Sequence, residues 1–245
     1  MKLRAMLLFL GLCWPLTTAC TPEVPIQVLE YGKMDASHHR NLLVILRGRG
    51  GSHYDFEEHG IIDEVRKHRL PFDIVAPDAH FGYYRTETLP DRLKHDIIDP
   101  ARAKGYTDIW LAGFSMGGLG SLFTVRKYPD LVAGVILVSP FLGGNSVIGK
   151  IEKAGGIRNW SRPAGTEGKW QYDIWAWIKQ YSETPDRYPE IHLGFGDQDS
   201  VINGGPALLA RSLEPGNHFT IPGGHDYETF KEIWRLHMER LADKF

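Results

Sequence analysis

Cysteine is almost absent from this sequence. Only Cys13 and Cys20 occur among its 245 residues, and both lie near the N-terminus. The rest of the chain therefore contains no disulfide, and its stability must come from a hydrophobic core. A chain of this length buries enough apolar surface for such a core in a single α/β domain.

The sequence also lacks a strong excess of charge of either sign. Lys and Arg number 28, Asp and Glu number 30, and the formal net charge at pH 7 is −2. The charges are mixed along the chain, with no long run of one sign and no internal repeat. Because nucleic-acid-binding domains carry a basic patch or a basic isoelectric point, we expect no nucleic-acid partner.

The first residues have a pattern of their own. Lys2 and Arg4 precede an apolar stretch over residues 5–12 that is too short to cross a bilayer, and small residues follow up to Ala19. This layout is typical of a secretory signal peptide. We expect residues 1–19 to be removed on export and residues 20–25, which include two prolines, to form a tether.

The position of Cys20 resembles the lipobox of bacterial lipoproteins, in which cleavage exposes a cysteine that receives a lipid. Thr17 departs from that pattern, because an aliphatic residue usually stands there and Leu16 lies one position early. The resemblance implies lipidation of Cys20, contact with a membrane through this anchor, and a location in the bacterial cell envelope facing the periplasm or the exterior. The alternative is an ordinary signal peptide that is cut nearby, with no role for Cys20.

Apolar, strand-like runs alternate with helical patterns through most of the remaining chain. Such runs are typical of strands that are covered on both faces of a parallel sheet. They lie at residues 42–46, 72–76, 107–112, 133–138 and 191–195. The alternation predicts one α/β domain over residues 26–245, with a mostly parallel central sheet and helices on both faces. Ligands of such sheets bind at the carboxyl ends of the strands.

Residues 141–189 interrupt this alternation. The stretch is rich in glycine, charge and tryptophan, and its tryptophans are Trp160, Trp170, Trp175 and Trp177. We interpret it as a cap-like insertion before the next strand. Its aromatic side chains either close over an apolar substrate or anchor the insertion to the core, and the sequence leaves both alternatives open.

One serine lies between a predicted strand and a predicted helix, in the stretch Gly113-Phe114-Ser115-Met116-Gly117-Gly118. Glycine two residues before and two residues after a serine is the pattern of a nucleophile elbow, where the chain reverses sharply. Side chains at those positions would collide with the neighbouring backbone, and the serine adopts a strained conformation. We therefore interpret Ser115 as the candidate nucleophile.

Four further stretches with polar residues follow predicted strands. Residues 47–52 have the sequence Arg-Gly-Arg-Gly-Gly-Ser and lack the Gly-Lys-Ser/Thr ending of a phosphate-binding P-loop. Asp197 and Asp199 follow the strand at 191–195, and His225 follows a last predicted strand at residues 217–221. His80, in an aromatic loop after residues 72–76, is a second candidate histidine.

These motifs together resemble the α/β-hydrolase superfamily over nearly the whole chain after residue 42. Serine, acid and histidine occur in the chain order of that fold. The glycine stretch is similar to its His-Gly-x-Gly-Gly loop, with Arg47 in place of the histidine. Residues 223–226 are similar to the histidine loop of the branch that includes feruloyl esterases and S-formylglutathione hydrolase-like proteins.

The resemblance implies an α/β-hydrolase fold and a role for each motif. Ser115 would be the nucleophile, His225 the base and Asp199 the orienting acid, with Asp197 as the alternative acid. Backbone N–H groups of Met116 and Arg49 would form the oxyanion hole. Gly50 is the alternative to Arg49 as a donor. Asp226 adjoins His225 and is more typical of a helix cap.

We expect a serine hydrolase that cleaves carboxylic esters of small molecules through an acyl-enzyme. The serine hydroxyl is a poor nucleophile at neutral pH and needs a base beside it, which the predicted triad supplies. A thioesterase or an acyltransferase uses the same residues, and thioesters are therefore alternative substrates. A non-catalytic envelope binding protein that keeps the fold is the third alternative. No cofactor and no metal is expected, and the sequence does not indicate the oligomeric state.

Overall fold

The structure, a computed structural model, describes residues 21–37 and 40–245. The predicted signal peptide, residues 1–19, and the predicted lipidation site Cys20 lie outside the described residues. Within the described part of the chain, every helix is too short or too polar to cross a membrane.

A seven-stranded sheet with the order β1-β3-β2-β4-β5-β6-β7 forms the centre of the fold. The strands are β1 (Val28–Tyr31), β2 (Asn41–Leu46), β3 (Phe72–Pro77), β4 (Asp108–Phe114), β5 (Gly134–Val138), β6 (Glu190–Gly196) and β7 (His218–Ile221). Only β1, at the edge, is antiparallel to its neighbour, and the other paired strands are parallel. The predicted mostly parallel sheet is therefore confirmed.

Helices connect the strands and cover the sheet. They are α1 (Asp55–Glu58), α2 (Ile61–Lys67), α3 (Phe81–Arg85), α4 (Leu89–Arg92), α5 (Asp99–Ala103), α6 (Met116–Lys127), α7 (Asn145–Lys153), α8 (Trp170–Glu183), α9 (Gly205–Ala210) and α10 (Tyr227–Ala242). A π-helical segment, Leu93–Ile98, joins α4 to α5. Pro100 follows it and has no N–H to donate to the carbonyl group of Asp96, which is a local reason for the irregular helix there.

The sheet has a hydrophobic core on each face, because successive side chains of a strand point to opposite sides. Leu42, Val44 and Leu46 of β2 belong to the core that α6 and α8 cover. Leu43 and Ile45 of the same strand belong to the core that α2 and α10 cover. All five side chains are fully buried, as expected for a central parallel strand with helices on both faces.

Residues 141–189 form α7 and α8, which join β5 to β6. Trp160, Trp175 and Trp177 are buried in the core that α6 covers. The ring N–H of Trp175 donates to the carbonyl oxygen of Leu142 at 2.8 Å. These three tryptophans therefore anchor the stretch to the sheet, whereas Trp170 is only partly buried.

The beginning of the described chain is attached to the domain. The N–H of Glu23 donates to the Tyr83 hydroxyl at 3.0 Å, and the same hydroxyl donates to the Glu23 carbonyl at 2.9 Å. The N–H of Ile26 donates to Asp96 at 2.9 Å. Of the predicted tether over residues 20–25, the part from Glu23 onwards therefore contacts the surface near α3.

Candidate active site

Ser115 lies at the sharp turn between β4 and α6. Its backbone has φ 52° and ψ −115°, a conformation that costs energy for a residue with a side chain. The turn is held because the Ser115 N–H donates to Val138 at 2.9 Å and the Ser115 carbonyl accepts from Phe141 at 3.0 Å. The serine is 8% exposed, so its hydroxyl group is within reach of a small ligand and otherwise enclosed.

The glycines on either side of Ser115 permit this turn. A Cβ atom on Gly113 would lie 2.3 Å from the carbonyl oxygen of Gly117. A Cβ atom on Gly117 would lie 2.1 Å from the carbonyl oxygen of Leu46. Both distances are far below van der Waals contact, so the predicted steric need for glycine is confirmed at both positions.

Three side chains from separate strand ends form one hydrogen-bonded chain. Nε2 of His225 lies 2.9 Å from Oγ of Ser115, and Nδ1 of His225 lies 2.7 Å from Oδ2 of Asp199. The Asp199 side chain is completely buried and also accepts the N–H of Val201 at 3.1 Å. This arrangement leaves His225 between a hydroxyl group and a carboxylate, with one ring nitrogen facing each.

Asp197 occupies a different place. Its carboxylate accepts the N–H of Gly223 at 3.4 Å, and its own N–H donates to the carbonyl oxygen of Ile221 at 2.9 Å. The side chain therefore stabilises the turn after β7, while Asp199 contacts the imidazole. Between the two aspartates that the sequence left open, the geometry places Asp199 at His225.

Asp226 begins the last helix, as predicted. Its carboxylate accepts the N–H of Thr229 at 2.8 Å, which makes it the N-cap of α10. The ring of His225 contacts Phe230 of the same helix edge-on, with 4.9 Å between the ring centroids. The cap and the aromatic contact together fix the direction of the His225 loop.

The glycine stretch after β2 runs beside the serine. A Cβ atom on Gly48 would lie 3.4 Å from Cβ of Ser115 and 4.0 Å from its Oγ. Arg47, the residue that replaces the usual histidine, is 8% exposed and does not point into solvent. Its Nε donates to Oδ1 of Asp78 at 2.9 Å, and its Nη1 donates to the carbonyl oxygen of Gly51.

Arg47 thus connects the two ends of the glycine stretch to the loop after β3. His53 lies close to the same carboxylate, with 3.6 Å between Nδ1 and Oδ1 of Asp78. Burial lowers the pKa of His53, so the imidazole is neutral at pH 7 and the Arg47–Asp78 pair carries the charges of this cluster. Sequence reasoning missed this contact, although the replacement of the loop histidine by arginine was a signal for it.

The other predicted oxyanion donor lies at the start of α6. Met116 is the first residue of that helix, so its N–H has no acceptor within the helix. The Tyr84 hydroxyl donates to the Met116 carbonyl at 3.1 Å, and burial raises the pKa of Tyr84. Tyr84 therefore stays protonated and supports the backbone beside Ser115. The guanidinium of Arg49 lies 5.0 Å from the centre of the Phe81 ring.

A cavity of about 930 Å³ opens beside Ser115, and we call it the α6 groove. Its lining includes Met116, Phe123, Phe141 and Trp170. Trp170 is thus the tryptophan of residues 141–189 that lines this groove, while the other three are buried in the core. The volume suits a small-molecule ligand.

The second candidate histidine has a local structural contact. Nδ1 of His80 accepts the N–H of Gly82 at 3.1 Å, so His80 caps α3. Its ring packs on Tyr83 at 4.6 Å between centroids. Among residues 21–37 and 40–245, no group of three His, Cys, Asp or Glu side chains has the geometry to hold a metal ion.

Residues 41–167 match a family model that is described as alpha/beta hydrolase fold. No curated protein sequence shows a significant match to the chain.

Several solved structures share the fold at low sequence identity. An S-formylglutathione hydrolase from Staphylococcus aureus has a TM-score of 0.58 and 15% identity, over 82% of this chain and 80% of that chain. A Paleococcus ferrophilus monoacylglycerol lipase has a TM-score of 0.57 and 16% identity, over 90% and 99%. Est1E from Butyrivibrio proteoclasticus, solved with ferulic acid, has a TM-score of 0.55 and 20% identity, over 89% and 94%. At these identities the likeness establishes the fold.

Proposed function

We propose that this chain, which belongs to the alpha/beta hydrolase family, is a serine hydrolase that cleaves carboxylic esters through an acyl-enzyme on Ser115. One observation carries the proposal: the unbroken hydrogen-bonded chain from Ser115 through His225 to buried Asp199, at the end of a ligand-sized cavity. The similar solved structures include a protein named as a monoacylglycerol lipase, which is consistent with cleavage of carboxylic esters, and one named as an S-formylglutathione hydrolase, whose substrate is a thioester.

Each side chain of the triad has one role in this mechanism. Nε2 of His225 takes the proton from the Ser115 hydroxyl as Oγ attacks the ester carbonyl, and the imidazolium then gives that proton to the leaving alcohol. Asp199 holds the proton on Nδ1 and stabilises the positive charge of the ring. Water, deprotonated by His225, attacks the acyl-enzyme and releases the acid together with free Ser115.

Two backbone N–H groups stabilise the negative oxygen of the tetrahedral intermediate. We assign them to Met116 and Arg49, with the Gly50 N–H as the alternative to Arg49. The supporting observations are the unpaired position of Met116 at the helix start and the closeness of the glycine stretch to Ser115. Loss of one such donor costs about 3–4 kcal/mol in the reaction barrier.

A fluorophosphonate probe tests the nucleophile directly. We expect the wild-type protein to be labelled and the Ser115→Ala variant to remain unlabelled, with a loss of esterase activity of about 10⁶-fold. Ser212→Ala, which changes a serine in the turn after α9, is the matched control and should be labelled like the wild type. A folded wild-type protein that takes up no label would overturn the enzymatic proposal in favour of a binding protein.

Thioester cleavage and acyl transfer use the same residues and differ in leaving group or acceptor. A panel of p-nitrophenyl esters of increasing chain length, followed by the matching thioesters, separates ester cleavage from thioester cleavage. Addition of an alcohol acceptor identifies acyl transfer, because an acyltransferase then forms a new ester in place of the free acid. Preference for the oxygen esters with water as acceptor is the expected result.

We also propose that the protein is exported and held at the membrane of the cell envelope by a lipid on Cys20. The support is the sequence of residues 1–20. Metabolic labelling with a fatty-acid analogue should mark the wild type and leave Cys20→Ala unmarked and released from the membrane. Unchanged membrane retention of Cys20→Ala would show that Cys20 is incidental.

A further inference from the structure

The α6 groove runs along one face of a single helix. Met116, Leu119, Phe123 and Arg126 line it, and their spacing of three or four residues places them in one row on α6. Ser115 lies just before the first residue of this row. With a rise of 1.5 Å per residue, Arg126 lies about 15 Å along the helix from Met116. The groove therefore has a reactive end at Ser115 and a far end near Arg126.

The middle of the groove is apolar and aromatic. Phe123 contacts Trp170 edge-on, with 6.1 Å between ring centroids, and Phe141 lies 6.3 Å from the same Trp170 ring. Leu119 lines the groove between Ser115 and Phe123. A hydrocarbon chain that extends from the ester group would contact these side chains and leave water.

The charges that line the groove do not cancel. Lys127 pairs with Asp91 at 2.6 Å, and Asp173 pairs with Arg162 at 2.7 Å, so these two lining residues are neutralised. Three lining arginines remain, namely Arg49, Arg85 and Arg126, and the structure records no ion pair for them within residues 21–37 and 40–245. Glu87 is the lining acid that is likewise unpaired in that part of the chain.

The arginines are divided between the two ends. Arg49 lies in the glycine stretch beside Ser115, and its guanidinium already stacks on Phe81. Arg126 lies in the last turn of α6, and Arg85 is the last residue of α3. Arg126 is exposed and lies at the far end of the groove, so an anionic group there would meet a guanidinium group without displacing an existing ion pair, and Arg85, also exposed, lines the groove from α3.

We propose that the α6 groove binds esters whose non-reacting end carries an anionic group, held by Arg126 after an apolar chain of about ten to twelve carbon atoms that spans the ~15 Å of helix. This inference rests on the proposed esterase function and names its substrate class. The anionic group belongs to whichever half of the ester, acyl or alcohol, occupies the groove.

Matched esters of one chain length test the preference for charge. The p-nitrophenyl monoester of dodecanedioic acid ends in a carboxylate, whereas the p-nitrophenyl esters of hydroxydodecanoic and aminododecanoic acid end in a neutral group and a cation. We expect kcat/KM to fall in that order, by about three- to tenfold at each step, because partly exposed charge pairs contribute modestly. The monoester of succinic acid is too short to reach Arg126 and should lose the advantage.

A second set of substrates places the charge on the alcohol. Acetate esters of hydroxydodecanoic acid and of dodecanol differ only by the terminal carboxylate. A carboxylate preference in the p-nitrophenyl set places the acyl half in the groove, and a preference in the acetate set places the alcohol half there. Either result supports the proposal, and hydrolysis of every pair at equal rates overturns it.

Variants and salt connect the preference to Arg126. Arg126→Gln should reduce the carboxylate-to-hydroxyl rate ratio toward unity, whereas Arg211→Gln, an exposed arginine after α9, should keep the wild-type ratio. Raising the salt concentration should lower the same ratio in the wild type, which needs no variant. A ratio that resists both changes would overturn the role of Arg126.

The outcomes separate this inference from the proposed function. If the wild type hydrolyses neutral and anionic esters equally and takes up the fluorophosphonate, it is an esterase without an anion preference. If it is folded but neither hydrolyses esters nor takes up the probe, the proposed function itself fails and this inference fails with it.

Discussion

The two ends of the α6 groove are built in opposite ways. At the Ser115 end the hydroxyl, the imidazole and the carboxylate are hydrogen-bonded to one another, and the Asp199 side chain is completely buried. At the far end Arg126 is exposed, and the described part of the chain provides it with no ion pair. One end is thus complete in the free protein, and the other has charge left for a ligand.

Under the proposed function, the difference follows from what each end must do. A proton transfer needs its donor and acceptor at fixed distances before the substrate arrives, and strained backbone and buried hydrogen bonds supply that rigidity. Recognition of a distant group needs affinity without exact position, which flexible arginine side chains at the surface provide. We therefore expect substitutions near Ser115 to lower kcat strongly. Substitutions farther along the groove should have smaller effects, and these should change KM rather than kcat.

Among substitutions that leave the Ser115 nucleophile in place, the largest effect is expected at Asp199. Asp199→Asn should lower kcat by about 10⁴-fold, because asparagine no longer stabilises the imidazolium or holds the correct tautomer of His225. Steady-state hydrolysis of a p-nitrophenyl ester at several pH values measures the loss. Asp197→Asn is the matched control, since its side chain accepts an N–H from the Gly223 turn at 3.4 Å and should retain most of the activity.

The reverse result would reject the arrangement at this end. If Asp197→Asn were the inactive variant while both proteins fold, His225 would take its acid partner from the other aspartate during catalysis. Which of the two variants loses more activity therefore tests the hydrogen bond between Asp199 and His225, whatever the size of either loss.

An intermediate effect is expected at Arg47, which we regard as a positioning residue. Arg47→Lys retains the charge but cannot donate in a fork to Asp78 and to the Gly51 carbonyl at the same time. The glycine stretch should shift relative to Ser115, and kcat should fall by about 10- to 100-fold with little change in KM. Steady-state kinetics with a short neutral ester measures both constants.

Arg92→Lys is the control for Arg47→Lys. Arg92 forms a partly buried ion pair with Asp96 at 3.2 Å, away from the serine, so the same exchange there should leave kcat unchanged. A rise in KM without a fall in kcat for Arg47→Lys would mean that the arginine contacts the substrate and does not act through the loop.

The smallest effect is expected in the middle of the groove. Phe123→Ala removes the ring that contacts Trp170 and should raise KM about fivefold for long-chain esters, by loss of apolar contact of about 1 kcal/mol. Short-chain esters, which do not reach Phe123, should react as with the wild type. Phe219→Ala is the control, because its ring packs on His237 in the other core and should not change chain-length preference.

Equal losses for short and long esters in Phe123→Ala would indicate that the ring supports α6 rather than the substrate. The predicted decrease in kinetic effect from Asp199 through Arg47 to Phe123 would then hold only as far as the glycine stretch. The middle of the groove would have no role in substrate binding.

Local patterns predicted much of the fold and of the catalytic end. The strand runs, the turn at Ser115 and the Asp226 cap each depend on a few neighbouring residues, whose spacing and steric limits are visible in the sequence. The clash of a Cβ atom at Gly113 or Gly117 with backbone is the physical cause of that pattern. These features can be predicted from sequence because the contacts that require them are made within one turn or with the strand and helix on either side of it.

Features that join distant segments could not be predicted in the same way. Arg47 and Asp78 are 31 positions apart, and only the packing of β2 beside β3 brings their side chains together. The four tryptophans of residues 141–189 look alike in sequence, yet Trp170 lines the groove while the others are buried. Their burial depends on how residues 141–189 pack against the sheet and α6.

The sequence alone determined the alternating sheet, the elbow at Ser115 and the order in which an acid and a base follow it. These depend on backbone sterics and on side-chain periodicity, which act over a few residues. The tertiary structure decided that Asp199 rather than Asp197 meets His225, that Arg47 holds the glycine stretch, and that Arg126, which has no ion pair within the described residues, lies at the far end of α6. Each of these depends on distances between strands and helices that are set when the two cores pack, and no local pattern contains them.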